Sequence, residues 1–394
     1  MVIKEGYKQT DSGIIPEDWK ISSLNDCLEL LTDFEANGSF ESVADNVNIY
    51  DNENYAWYVR ATDLEKNSEL SNVKFVDEST YNFLKKTSLK GGEVLITKRG
   101  EIGKVYFFQM KTKYATVAPN MYLLNLNKSV VPFYIYSFFK AEIGNKLLKE
   151  KNASSTLGAL YKDDVKSIQI PLPPTLAEQT SIANALSDVD ELITGLEKLI
   201  VKKRNIKQGA MQQLLQPKEG WEVKKFNDVF KKHPAKAYQI NSFEYEESGI
   251  FPIIDQGKKL IVGYSDNIDK VFTCPVGGVI IFGDHTRILK FINFNFIVGA
   301  DGTQLISPQK GNYCLFIYYL LLTKEIPNTG YNRHFKFLLE MEFSIPTFNE
   351  QTRIASILSD IDAELSALKQ KLEKYKKVKL GMMQELLTGK TRLV

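Results

Sequence analysis

The sequence predicts an α+β fold in which two related modules are combined with two long helices. A block of 38 residues, 178–215, recurs at 350–387 with a constant offset of 172, and 17 of the aligned positions are identical. Neither copy contains proline, and apolar residues recur mostly at steps of three and four, as in a helix that buries one narrow seam. The segment before the first copy and the segment between the copies share the order of their strand and helix signals. We infer two diverged modules, each followed by the same helical connector.

Each repeated block is predicted to form a long helix that begins close to the prolines at 171–174 or at 346. At about 1.5 Å per residue, 38 residues extend roughly 57 Å, longer than most globular helices. We expect the two seams to pair as an antiparallel coiled coil; the alternative is two amphipathic helices that pack on separate local cores. The residues expected at these contacts are Glu178, Gln179, Ile182, Leu186, Val189, Ile193, Leu196, Ile200, Glu350, Gln351, Ile354, Leu358, Ile361, Leu365, Leu368 and Leu372.

The two modules are predicted to be homologous because their signals follow the same order. Each opens near a tryptophan, then has a Gly-Gly turn before a β-branched run typical of a hairpin strand, a second apolar run, and an aromatic helix. These signals lie at Trp19, 90–96, 114–124 and 133–139, and at Trp221, 276–281, 296–306 and 316–322. The predicted segments are therefore 1–171, 172–216, 217–346 and 347–394.

Composition excludes several classes of protein. The 394 residues are 43% hydrophobic and 25% charged, and no apolar run approaches the length of a membrane span, so we expect a folded cytoplasmic protein without membrane contact. Three cysteines and three histidines lie in no metal-binding pattern, and the cysteines are expected to be buried small hydrophobes. No glycine-rich nucleotide loop of known spacing is present. A self-sufficient nuclease or methyltransferase therefore lacks its motifs, and we expect a non-catalytic chain that binds no cofactor or metal.

Charge is segregated along the chain although its total is only +2. Residues 1–80 have a net charge of −11 and residues 85–113 a net charge of +6. Three loops offer donors that can contact phosphates or base edges; the alternative is that they are solvated loops that shape the fold. The candidates are Lys98, Arg99, Gly100, Gly103, Lys104, Asp284, His285, Thr286, Arg287, Tyr331, Asn332, Arg333 and His334. Basic runs inside the long helices, 202–204 and 374–379, are expected to be solvated faces or subunit contacts.

The repeated Glu-Gln helix, the closing segment Leu386-Leu387-Thr388-Gly389-Lys390-Thr391-Arg392-Leu393 and the two divergent modules resemble the specificity (S) subunit of type I restriction-modification systems. The resemblance covers essentially the whole chain. Gly100, Gly103 and Lys104 match a strand-Arg-Gly-x-x-Gly-Lys feature of that family, and 329–334 matches a Thr-Gly-x-x-Arg-His variant. The first module has 154–158 in place of that variant.

The resemblance implies two target-recognition domains, each reading one half of a split site in double-stranded DNA, with the helices acting as a ruler between them. It implies two modification subunits that bind S-adenosylmethionine and methylate adenine. The resemblance also implies two restriction subunits, which use ATP and Mg and join the complex through the modification subunits. A different class of function remains open, a coiled-coil scaffold that binds proteins and no DNA.

Overall fold

The protein is described by a computed structural model that covers residues 5–10, 13–66, 69–151, 159–299, 301–330 and 332–393. By packing, the chain divides into two compact units, Met1–Leu196 with Leu372–Val394, and Glu197–Lys371. The boundary cuts both repeated helices. Each unit therefore contains one module, the first half of one long helix and the second half of the other. The four sequence segments proposed above remain a prediction of functional parts.

The first unit holds two main sheets and the short elements that cover them. Its strands are β1 (Tyr7–Thr10), β2 (Gly13–Pro16), β3 (Lys20–Ser23), β4 (Leu28–Asp33), β5 (Ile49–Tyr50), β6 (Ala56–Val59), β7 (Lys74–Val76), β8 (Ser88–Leu89), β9 (Val94–Thr97), β10 (Val105–Phe107), β11 (Ala115–Val117), β12 (Met121–Leu126) and β13 (Gln169–Leu172). Its helices are α1 (Leu24–Cys27), α2 (Phe40–Asn46), α3 (Ala61–Glu65), α4 (Glu78–Phe83), α5 (Pro132–Lys140), α6 (Glu142–Glu150) and α7 (Lys162–Lys166), with 3-10 helices at Phe34–Asn37, Leu70–Asn72 and Lys85–Thr87. The long helix α8 (Leu176–Leu214) begins in this unit.

The second unit follows the same order with fewer additions. Its strands are β14 (Glu222–Lys225), β15 (Phe230–His233), β16 (Phe251–Ile254), β17 (Gly263–Ser265), β18 (Val271–Phe272), β19 (Val279–Gly283), β20 (Leu289–Ile292), β21 (Phe296–Val298), β22 (Thr303–Pro308) and β23 (Glu342–Ile345). Its helices are α9 (Phe226–Val229), α10 (Cys314–Leu322) and α11 (Phe335–Leu339), with 3-10 helices at Ala235–Tyr238, Ser242–Glu244 and Ile268–Lys270. The long helix α12 (Phe348–Leu386) begins in this unit.

Sheet topology confirms that the two modules are homologous. An antiparallel sheet runs β10-β9-β12-β4 in the first module and β20-β19-β22-β15 in the second. A second sheet runs β8-β11-β6-β7-β5 in the first and β18-β21-β16-β17 in the second, and its central pair is parallel in both. The predicted aromatic helices are α5 and α10, which pack on the antiparallel sheets. The β-branched runs form strands β9 and β19, and each makes a hairpin with the next strand, β10 or β20. The Gly-Gly turn before each hairpin follows a strand of the second sheet, β8 or β18.

The second residue of the repeated block ties each long helix to its own module. The Gln179 side chain accepts a hydrogen bond from the backbone N–H of Val131, the N-cap residue of α5, at 3.0 Å. Gln351 accepts the corresponding bond from Tyr313, the N-cap residue of α10, at 2.7 Å. Both amides are buried and also donate to the carbonyl of a proline at the preceding strand end. Each glutamine thus satisfies the backbone N–H of the residue that caps the aromatic helix of its module.

The first turns of each long helix pack against the last turns of the other, as the antiparallel prediction requires. In the first unit, Ile182 and Leu186 share one core with Leu386. In the second unit, Ile354 and Leu358 share a core with residues at the end of α8. These cores also contain the sheet and aromatic helix of the module, so the same residues pack on the module as well as on the other long helix. Along the remaining seam Val189, Leu196, Ile200 and Leu365 are buried, and Ile193, Ile361, Leu368 and Leu372 are half-buried.

Two equivalent ion pairs set the register of the helix pair. Lys379 donates to Asp190 at 2.5 Å in the first unit, and Lys207 donates to Asp362 at 2.6 Å in the second. Both pairs consist of the same two repeat positions, since each residue differs from its counterpart by the offset of 172. The Lys207 pair is extended by the Tyr319 hydroxyl, which donates to Asp362 at 2.8 Å. Partly buried charge pairs of this kind penalise a shifted register, in which they would be left unpaired.

A doubly bidentate arginine closes the first unit. Arg392 donates through Nε and Nη2 to both oxygens of Glu178, at 2.5 and 2.9 Å, and through Nη1 and Nη2 to both oxygens of Asp18, at 3.0 Å each. Glu178 is 1% exposed, and its repeat partner Glu350 is half-buried. The arginine lowers the pKa of Asp18 through this hydrogen bond. In the second unit the repeat position equivalent to Arg392 is Gly220, so this contact is particular to the first unit.

We expect Arg392→Ala to destabilise the first unit by about 3 kcal/mol, because it leaves the Glu178 carboxylate buried without its cation. Denaturant unfolding of the full chain measures the loss. Lys390→Ala is the matched control, since the Lys390 side chain is 56% exposed and its ion pair with Glu385 is 4.0 Å long. Equal losses in the two variants would contradict a special role for Arg392.

Candidate nucleic-acid interface

The predicted loop of the first module, residues 98–104, joins β9 to β10 as a tight hairpin. The Thr97 N–H donates to the Lys104 carbonyl at 2.9 Å, and the Lys104 N–H donates to Thr97 Oγ1 at 3.0 Å. Gly100 and Gly103 have φ values of +78° and +75°, a region that favours glycine because a Cβ would clash with the backbone. The two glycines therefore shape the loop, and the cations beside them carry its charge.

Lys98, the first cation of this loop, points into the protein. Its ammonium group lies 2.7 Å from Asp33 Oδ2 and 3.1 Å from Glu35 Oε1, and its side chain is 5% exposed. Lys162 pairs with the other oxygen of Asp33 at 3.0 Å. The ammonium also lies 5.5 Å from the centre of the Tyr122 ring. Lys98 therefore organises the corner from within, and its predicted contact with DNA stays a prediction.

Arg99 and Lys104 are the cations that this loop exposes. Their side chains are 61% and 39% exposed, and Arg99 lies 3.4 Å from Glu35 Oε1. Lys104 contacts the carboxylates of Glu65 and Glu101. Glu35 and Glu65 come from the acidic first 80 residues, so the fold places part of the negative segment beside the positive one. The charge segregation along the sequence consequently becomes a mixed surface.

In the second module the structure brings two of the predicted loops together. The backbone carbonyl of Asp284 accepts from the His334 N–H at 2.8 Å and lies 2.9 Å from His334 Nδ1. The Asp284 carboxylate accepts from the Phe335 N–H, at the first turn of α11, at 2.8 Å. Asp284 is 2% exposed and His334 is fully buried. These two candidates therefore join the loops.

The other candidates of the second module are half-buried or exposed. Thr286 donates to the Gln256 carbonyl at 2.6 Å, and the His285 N–H donates to the Gln256 side chain at 3.1 Å. Arg287, whose φ is +60°, donates to the Ile326 carbonyl at 3.0 Å. Asn332 and Arg333 are exposed. Tyr331 and the first-module segment 154–158 lie outside the described residues.

A cleft of about 350 Å³ lies beside these loops in the second module. Its polar lining includes His233, Lys236, Gln239, Gln304 and Arg333. His233 lies 2.7 Å from Ser307 Oγ, and burial followed by the charge of Lys231 lowers its pKa below the ordinary value, which favours the neutral imidazole at pH 7. Sequence reasoning missed every lining residue except Arg333, because they come from segments far apart in the chain, 233–239 and 298–304. The basic run around 231–236 was a sequence signal for the first of these segments only.

The described residues contain no group of three or more histidine, cysteine or acidic side chains arranged to hold a metal ion, and no helix among them is long and apolar enough to cross a membrane. Cys27 and Cys314 are buried, as predicted, and Cys274 is partly buried. Burial raises the pKa of Cys27 to about 11 and that of Cys314 to about 12, so both thiols stay protonated at neutral pH. Protonated buried thiols are poor nucleophiles.

Comparisons with known proteins agree on one family. The family model described as "Type I restriction modification DNA specificity domain" matches residues 16–205 and 218–377. The chain is 25% identical to a putative type I restriction enzyme MjaX specificity subunit of Methanocaldococcus jannaschii, over 99% of this chain and 97% of the relative. It is 22% identical to the type I restriction enzyme MjaVIII specificity subunit of the same organism, with the same coverage.

The fold is also similar to a solved structure. The crystal structure of the S subunit of the type I restriction-modification system from M. genitalium matches with a TM-score of 0.65 and 15% identity, over 98% of each chain. A likeness at this identity concerns the fold. It agrees with the two modules and two long helices described above.

We expect Asp33 to make the first unit sensitive to acid. Burial alone would raise its pKa, but hydrogen bonds from Lys98 and Lys162 outweigh burial and hold the pKa below the ordinary value of 3.8. A carboxylate with a depressed pKa adds stability that is complete above its unfolded pKa and is lost as the pH falls through its folded pKa. Asp33→Asn should therefore lower stability by about 3 kcal/mol at neutral pH and flatten the acid limb of the stability profile.

The measurement is denaturant unfolding of the full chain at a series of pH values. Asp45→Asn is the control, since Asp45 is an exposed carboxylate on α2. An acid limb that is as steep in Asp33→Asn as in the unmodified chain would contradict the prediction.

Proposed function

Because the chain belongs to the family of type I restriction-modification DNA specificity domains, and contains two such domains, we propose that each domain reads one half of a bipartite, asymmetric DNA site. The observation that carries this proposal is the combination of one shared backbone plan with different exposed side chains. Homologous modules with equal loops would read equal half-sites. Modules that expose Arg99 and Glu35 in one case, and Arg333 and Lys236 in the other, are suited to different half-sites.

The chemistry of the exposed loops supports contact with DNA. Arginine and lysine can bind phosphate oxygens or the acceptors of guanine, and the amides of Asn332, Gln239 and Gln304 can pair with adenine. Phosphate contacts supply affinity that falls with salt, whereas base contacts supply selectivity. In the second module, the cations Lys236 and Arg333 and the amides of Gln239 and Gln304 line one cleft. The candidate contacts therefore divide into positioning and reading groups.

Exposed apolar residues on the long helices support docking of modification subunits. Leu192, Leu199, Val201 and Ile206 of α8 are 40–54% exposed, and Ile357, Val378 and Leu380 of α12 are 37–53% exposed. In the second unit, the α8 segment 197–206 lines an open groove. Apolar side chains at the surface of a long helix are typical of contacts with further helices. We propose that two modification subunits bind S-adenosylmethionine and that two restriction subunits use ATP and Mg. In this proposal the chain itself catalyses no step and works in the cytoplasm.

We expect an exchange of residues 20–165 for the corresponding module of another specificity subunit to change one half of the DNA target only. The reason is that the exchanged residues lie in one module. The measurement is mapping of methylated adenines made by the complex of this chain with its modification subunits. A change in both half-sites would contradict the assignment of one module to one half-site. Absence of salt-dependent DNA binding by the complex would instead favour a protein-binding scaffold.

We expect matched seven-residue insertions after Leu196 in α8 and after Lys371 in α12 to lengthen the spacer between half-sites. Both points lie at the boundary between the two units, so each unit keeps its own helix contacts. Seven helical residues add about 10 Å, which corresponds to at most roughly three base pairs. Mapped methylation again gives the readout, and a single insertion in α8 alone is the mismatched control. An unchanged spacer in the doubly extended chain would refute the ruler function.

A further inference from the structure

The corner where β9 and β19 end is built by equivalent backbone contacts in the two modules. The residue after β9, Lys98, donates its N–H to the carbonyl of Asn120 at 2.8 Å, and the residue after β19, Asp284, donates to the carbonyl of Gly302 at 2.7 Å. The turns before β12 and β22 therefore occupy the same place. The next segment along the chain also matches, because the carbonyl of Lys98 accepts from Leu160 at 3.0 Å as that of Asp284 accepts from His334.

A short 3-10 helix forms one wall of each corner. Strands β4 and β15 pair with β12 and β22 in the same antiparallel sense, and each is followed, directly or one residue later, by the 3-10 helix Phe34–Asn37 or Ala235–Tyr238. The second residue of this helix is Glu35 in the first module and Lys236 in the second. The same wall position thus carries opposite charge.

Building on the DNA-reading function proposed above, we propose that Glu35 and Lys236 are specificity-determining residues for the two half-sites. Glu35 accepts a hydrogen bond from a base amino group, the chemistry shared by cytosine N4 and adenine N6. Lys236 donates to base acceptors such as guanine O6 and N7. These are the pairings that carboxylates and ammonium groups make with base edges in the major groove.

Glu35 is exposed and held in place, as a reading group must be. Its side chain is 59% exposed, and Oε1 is fixed by Lys98 at 3.1 Å and by Arg99 at 3.4 Å. A carboxylate accepts hydrogen bonds at about four positions on two oxygens, so these contacts leave acceptor capacity for a base. The two cations also offset the repulsion between Glu35 and DNA phosphates. This arrangement explains why the exposed acid lies beside a predicted DNA-binding loop.

Lys236 is exposed and lines the second-module cleft, where further polar groups can complete the reading of a base. Gln239 and Gln304 line the same cleft and present amides, which both donate and accept. Arg333 also lines the cleft, lies 3.9 Å from Asp301 and is 68% exposed. A cleft of about 350 Å³ lined by cations and amides suits a base edge better than it suits a flat phosphate backbone. Because this position is negative in the first module and positive in the second, we expect the two half-sites to present different base edges to it.

The test uses the complex of the full chain with its modification subunits and compares Glu35→Gln and Lys236→Gln with two matched controls. Glu29→Gln changes an exposed acid near the opposite end of β4, and Lys310→Gln changes an exposed base beyond the far end of β22. Mapped methylation and selection from randomised DNA give base preferences at each position. We expect each reading variant to lose about five- to 150-fold discrimination at one or more base pairs of its own half-site. The other half-site and both controls should be unchanged.

The outcomes separate this inference from the function on which it rests. If the unmodified complex recognises no bipartite target, the proposed function fails. If it recognises one and both reading variants keep the preferences of both half-sites, the inference about Glu35 and Lys236 is overturned. For a variant that no longer methylates, selection of bound DNA decides. Loss confined to one half-site supports the inference, and equal loss across both half-sites overturns it.

Discussion

The pairing of α8 with α12 is the constraint on which the rest of the structure depends. The same two repeat positions form an ion pair twice, Asp190 with Lys379 and Asp362 with Lys207, and the same glutamine position ties each helix to its module twice. A helix pair whose two ends are chemically equivalent can hold two modules by identical contacts. The contribution of each pair to stability is modest, but a shift in register would break both pairs together. The repeat therefore functions as a frame.

The two modules keep the same main-chain contacts at the corner that follows β9 and β19, although the side chains there have diverged. The corner contacts after β9 and β19 are made by main-chain groups, which every residue other than proline supplies. Lys98 can thus stand where the other module has Asp284, and Glu35 where it has Lys236. At the exposed position of Glu35 and Lys236, the opposite charge is compatible with the same backbone plan and changes what the surface can bind. Main-chain construction allows one backbone plan to carry different side chains at the corner proposed to read DNA.

Buried polar residues give each corner its rigidity. Lys98 with Asp33 in the first module, and His334 with Asp284 in the second, are nearly excluded from solvent and carry several hydrogen bonds each. These pairs anchor the backbone beside the exposed residues Arg99 and Arg333. Preorganisation of this kind reduces the entropy lost when a ligand orders the loop. Adjacent loop residues differ strongly in exposure because one of them is buried in such a pair while the next lies at the surface.

The sequence by itself determined the repeated helices, their antiparallel pairing, the homology of the modules and the family, because periodic patterns and repeated residues are local properties of a chain. It also located the loops after β9 and β19. Only the tertiary structure decided which loop residues face outward, since Lys98 and Arg99 are neighbours with opposite exposure. Only the tertiary structure joined Asp284 to His334, and placed Glu35 and Lys236 at one wall position, because these contacts connect segments far apart in the chain. Burial and long-range pairing depend on how strands are arranged in a sheet, and no single segment encodes that arrangement.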